Sequence, residues 1–167
     1  MKKYYWYIFF ALITSLFIYV FYRTDKTLVN QIIIQLISFN TYQSLKQAVT
    51  ASLPLNEYLI YSLPEGLWVF CITLTSKEFY FDLFKKRINC IFIPLLFVLA
   101  LELFQLFHIT NGHFDFLDIG ISLFFWFIAA KIIDTQQGLK NLFHSLNYNS
   151  AFCLLSYCII YLAHVIH

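Results

Sequence analysis

Six side chains able to do chemistry lie in or beside apolar runs of this sequence: Glu65, Glu102, Gln105, His113, Asp115 and Asp118. A charge at the centre of a membrane helix costs about 2.5–3.5 kcal/mol on insertion scales, so each such group calls for a partner or a task. Glu102 stands mid-run in Leu99-Ala100-Leu101-Glu102-Leu103-Phe104, and Gln105 follows three residues on, nearly on the same helical face. The next stretch, His108-Ile109-Thr110-Asn111-Gly112-His113-Phe114-Asp115, carries no Lys or Arg, and Asp118 opens another apolar run. Carboxylates and an amide gathered this way can hydrogen-bond a polar headgroup or a partner. With His108 and His113 they also offer oxygen and imidazole ligands for a metal. That metal reading is weak, because His108-x4-His113 is not a diagnostic spacing and no H-E-x-x-H or nucleophile–base set accompanies it. We therefore expect a ligand-binding group with no metal and no cofactor, His108 and His113 being the imidazole candidates.

Plainer roles compete at each position. Ser62-Leu63-Pro64-Glu65 has the form of a helix start, with Glu65 closing a capping box. Asp115 or Asp118 suits a helix N-cap, and Asn111-Gly112 is a turn signal. His108 and His113 suit a headgroup region. Glu102 has no cap to serve and is the hardest to dismiss.

The elements that must position these groups follow from composition. Of 167 residues, 60% are hydrophobic, 21% aromatic and only 12% charged, with a mean hydropathy of +0.70. A soluble domain is about a quarter charged, and one of about 150 residues buries only about 70% of its unfolded surface. The chain therefore reads as all-α, one polytopic membrane domain over residues 1–167. Disorder is excluded by the same composition. A net charge of +2 without a basic stripe argues against nucleic acid as a partner.

Five apolar stretches predict spans at about residues 5–22, 62–80, 88–107, 116–133 and 151–166. The first lacks a small-x-small site after its apolar run and reads as an uncleaved anchor. Pro94 predicts a kink in the third. Leu28 to Ile37 is apolar but broken by Asn30, Gln31 and Gln35, which predicts an interfacial or re-entrant helix in the first outer loop. Lys2, Lys3, Lys77, Lys85, Lys86, Arg87, Lys131 and Lys140 fall on one side of this arrangement; Arg23, Lys26 and Lys46 fall on the other. The positive-inside rule then puts the N-terminus inside, the C-terminus outside, and the acidic residues at the outer face. Cys71, Cys90, Cys153 and Cys158 lie inside apolar runs without a C-x-x-C and read as small buried hydrophobes.

Glu102-x-x-Gln105, a short loop and Asp115-x-x-Asp118 at the head of the next helix together resemble the core signature of VanZ-like membrane proteins, over roughly residues 90–133. The family's Arg before the acidic pair is missing here, where Asn111-Gly112-His113 stands instead. Ser122 occupies the place of a common Asn, and Phe125 stands near an expected Gly. The resemblance implies a role at the bacterial cell envelope, in the cytoplasmic membrane, and no established reaction. Its partners would be the lipid bilayer and a lipid-linked envelope precursor or another membrane protein. Two other classes remain open: a membrane-embedded metal-assisted hydrolase or transferase acting on a lipid-linked substrate, and an accessory subunit whose aromatic faces pack on other membrane proteins.

Overall fold

Tyr5–Tyr22 contains neither Pro nor Gly and forms one continuous helix, α1. Its buried residues Ile8, Ala11, Ser15 and Ile18 recur every three to four positions and make one face. The opposite face leaves Trp6, Phe10, Leu12 and Leu16 at least half exposed. The computed structural model describes residues 4–25, 28–84, 86–109, 114–132, 139–144 and 147–165. Beyond α1 it contains α2 (Leu28–Ile37), α3 (Phe39–Ser52), α4 (Glu57–Ser76), β1 (Phe79–Leu83), β2 (Lys86–Asn89), α5 (Ile93–Leu106), α6 (Phe116–Phe127), β3 (Lys140–Asn141) and α7 (Tyr148–Val165). The chain is mostly helical, as its composition predicts.

Helix α4 is the axis of the fold. Asn56 caps it, its side chain accepting from the Tyr58 N–H at 3.1 Å. From Ser62 to Ser76 almost every residue is buried, the pattern of a helix enclosed by others. It packs most extensively on α6 and α1. The helix start differs from the expected one at Ser62, because Asn56 supplies the cap and Pro64 is accommodated inside the helix. Pro64 has no N–H, so the Ile60 carbonyl loses its i+4 donor there.

Two contacts fix the direction of α1 against α4. The Tyr4 hydroxyl donates to Glu78 Oε1 at 3.1 Å just past the far end of α4. The Tyr22 hydroxyl donates to the Leu53 carbonyl just before its near end. The two helices are thus antiparallel, and α5 and α6 add a second antiparallel pair. Trp126 Nε1 donates to the Ile91 carbonyl at 2.8 Å, closing the base of that pair. Ser76 Oγ lies 2.8 Å from the Tyr157 hydroxyl and ties α7 to the end of α4. Gly66 sets the α4–α6 approach: a Cβ there would stand 2.6 Å from both Ile121 Cγ2 and Phe125 Cδ2.

The Ser76 end of the fold carries a small sheet, of order β2-β1-β3, that the all-helical reading did not contain. β1 and β2 form an antiparallel hairpin with Tyr80 opposite Asn89 and Leu83 opposite Lys86. β3 adds parallel to β1, Phe79 opposite Lys140. The aromatic run Phe79-Tyr80-Phe81 suits a strand as well as a helix end, and pairing with distant residues decides between them. The expected second and third spans are trimmed accordingly. The third begins with a 3-10 turn at Cys90–Phe92, and Pro94 falls in the first turn of α5, where its missing N–H is no loss, rather than at a kink.

At the opposite end, residues 28–52 form two helices instead of one. At 10 and 14 residues they extend about 15 and 21 Å, both short of a bilayer core of about 30 Å. Asp25 anchors α3: Lys46 Nζ and Gln43 Nε2 each reach its carboxylate at 2.6 Å. The Tyr42 hydroxyl donates to the Val20 carbonyl at 2.8 Å. Burial raises the Tyr42 phenol above its usual range, whereas the Lys46 ammonium, through its hydrogen bond, holds the Asp25 carboxyl below its own.

Candidate functional site

Helices α4, α5 and α6 each bring one carboxylate to a common point. Glu65, Glu102 and Asp118 place one oxygen each so that all three lie within 4.8 Å of one another. Glu65 arrives from deeper in α4 than expected. With Asn56 as the cap, it sits about 13 Å along the axis from the helix start. It therefore completes no capping box. The close α4–α6 approach at neighbouring Gly66 lets Glu65 and Asp118 meet.

Glu102 is 1% exposed. One of its oxygens, Oε2, accepts from the Asp115 backbone N–H at 3.1 Å, while Oε1 has no hydrogen-bond partner. Asp115 itself is the N-cap of α6, its carboxylate accepting from the Leu117 N–H at 2.9 Å. One acid of the Asp115-x-x-Asp118 pair thus starts the helix, and the other, in its first turn, faces the cluster. Ser62, itself buried, lies close enough to act on the Asp118 carboxyl group. Asp118 Oδ1, Gln105 Oε1 and Ser122 Oγ are all buried without a hydrogen-bond partner.

Among the described residues, the metal-capable grouping is these three carboxylates, without an imidazole. His108 is exposed, with a φ of 57° in the turn that ends α5. His113 lies outside the described residues.

No protein-family model matches the chain, and neither a curated protein nor a solved structure does.

At 4.8 Å, two like charges repel by about 3 kcal/mol even at an effective dielectric constant of about 20. Three bare carboxylates cannot persist together, so protons or a cation must lie among them. Arg23, at the end of α1, exerts an electrostatic pull on both Glu65 and Asp118. Its guanidinium stacks on the Tyr61 ring at 4.9 Å and the Tyr19 ring at 5.2 Å. It makes no ion pair with the three acids; the one between Lys46 and Asp25 is the only ion pair among the described residues.

Sequence reasoning identified Glu65, Glu102, Gln105 and Asp118 as site residues but passed over three others. Ser62 was assigned to a cap, although it stands one turn before Glu65. Ser122 stands one turn after Asp118 on the same face, a legible i+4 signal. Arg23 is distant in sequence, and only the antiparallel α1–α4 packing brings it near.

Proposed function

We propose that this chain is a multi-pass membrane protein of the bacterial envelope, related to the VanZ-like family, with an outer-face polar pocket that binds a lipid headgroup or a lipid-linked cell-wall precursor. The convergence of Glu65, Glu102 and Asp118 from three helices carries this reading, because an acidic trio with unpartnered buried oxygens serves no evident packing purpose. Two helices, Tyr5–Tyr22 and Glu57–Ser76, are long and apolar enough to cross a bilayer. Cys90–Leu106 is a shorter apolar helix. Large apolar side chains stay exposed around the molecule, among them Phe10, Leu96, Phe124 and Leu155, and lipid is the natural cover for them. Lys77, Lys86, Arg87 and Lys140 gather at the Ser76 end, away from the trio, which supports an orientation with that end inside.

The pocket's acids suit ammonium and hydroxyl groups directly, and Arg23 adds a positive rim for a phosphate. Native mass spectrometry of protein extracted with mild detergent tests the reading. The wild-type chain should retain a headgroup-bearing lipid that Glu102→Gln and Gln105→Ala lose while still inserting into the membrane. Equal lipid retention by all three proteins would assign the trio to structure alone.

A further inference from the structure

We infer that Glu65, Glu102 and Asp118 form a binding site for a calcium-sized divalent cation, with the neutral oxygens of Gln105 and Ser122 beside it. The inference rests on the reading of this pocket as a ligand site and names the ion that would complete it.

Two independent observations meet here. The first is the trio itself, three hard oxygen donors from three different helices within 4.8 Å. The second is Ser122, 0% exposed, whose hydroxyl has no hydrogen-bond partner and lies one turn below Asp118 on the same face of α6. Glu102 adds a further unpartnered oxygen on a side chain that is 1% exposed. Its other oxygen is pinned by the Asp115 N–H, so the carboxylate is oriented before any ligand arrives. What these groups lack is a positive partner, and all of them are oxygens.

The number and kind of donors select the ion. Two oxygens on opposite sides of a calcium ion, at 2.3–2.6 Å each, stand up to about 5 Å apart. For magnesium, at 2.0–2.1 Å, the limit is about 4.2 Å. The trio's oxygens, all within 4.8 Å of one another, lie inside the first limit, and three carboxylates with neutral oxygens beside them suit calcium better than magnesium, which keeps several waters and takes one or two carboxylates. Oxygen-only donors likewise suit calcium over zinc, which favours sulfur and nitrogen. A divalent ion leaves one negative charge on the trio, which faces Arg23. Bound there, it would cross-link α4, α5 and α6 and give a phosphate-bearing headgroup a positive ion to approach.

Calcium alone is the probe. Full-length protein in detergent, stripped with chelator, is dialysed against radiolabelled calcium, and its thermal unfolding is followed with and without the ion. One calcium should bind per chain and raise the unfolding temperature. Affinity should fall roughly tenfold or more in Glu102→Gln and Asp118→Asn, since ligand charge count governs calcium affinity. Glu57→Gln, at the exposed start of α4, should bind within about twofold of wild type. Absence of saturable binding by folded, monodisperse wild-type protein overturns the site. So does calcium binding that survives in both pocket variants. Should those variants fail to fold, an unfolding temperature of the wild type that calcium leaves unmoved is sufficient to overturn it. A failure here leaves lipid retention, measured in chelator, as a separate readout of the headgroup reading. Calcium binding without lipid retention reverses that outcome.

Discussion

The Asp115 backbone N–H donates to Glu102 Oε2 at 3.1 Å, so the residue that starts α6 also fixes the carboxylate at the end of α5. One hydrogen bond thereby couples a helix cap to the acidic trio. Glu102→Gln keeps an oxygen for that N–H and should fold. Glu102→Ala leaves the N–H without an acceptor and opens a cavity, for a loss of about 2–4 kcal/mol. Chemical denaturation in detergent distinguishes the two. Equal stability of both variants would show that the contact carries no structural weight.

Gly66 makes a sharper prediction. A Cβ at that position would press on the Ile121 methyl and the Phe125 ring at 2.6 Å, and a β-branched side chain beside a packed ring has little room to yield. Gly66→Ala should cost about 1–3 kcal/mol and separate Glu65 from Asp118. Thermal unfolding measures the first effect, and ligand retention at a temperature where the variant is folded measures the second.

The Asp25–Lys46 knot gives a pH dependence. Its folded carboxyl is held below the ordinary value of about 3.9, so its contribution is fully present above that pH and is lost as pH falls through the folded value. The stability difference between wild type and Asp25→Asn should be about 1 kcal/mol at pH 6 and should shrink below pH ~4. A difference that stays constant with pH would contradict the ion-pair account. Protease sensitivity of residues 39–52 should rise in the variant, because Asp25 holds α3 through Lys46 and Gln43.

Tyr4→Phe removes the hydroxyl that donates to the buried Glu78 carboxylate across the base of α1 and α4. A loss of about 1–3 kcal/mol is expected for a hydrogen bond to a charged group. An unchanged denaturation midpoint would mean that the other contacts of Glu78 suffice.

How much of this was legible in the sequence depends on how local each signal is. Asp115-x-x-Asp118 announced a helix start because capping needs only neighbouring residues. Glu102 stood out because a carboxylate in an apolar run has to be explained. Ser62-Leu63-Pro64-Glu65 misled because it has the residue types of a helix start, whereas Asn56, six residues earlier, takes the role and leaves Glu65 free for the cluster. The sheet was not legible, since Phe79–Leu83 owes its strand form to partners at Lys86–Asn89 and Lys140–Asn141. Arg23 was not legible either. The loop before Asp115 carries no guanidinium, and the one that acts on Glu65 and Asp118 comes from the end of α1.

The proposed ligand role implies that the acidic trio lowers the stability of the protein while it is empty. Thermal unfolding of wild type against Glu65→Gln, in chelator and without added lipid, tests it most directly. Relief of like-charge repulsion should make the ligand-free variant more stable than wild type, by up to a few kcal/mol. A variant clearly less stable than wild type under those conditions would contradict the account and mark Glu65 as part of a structural network.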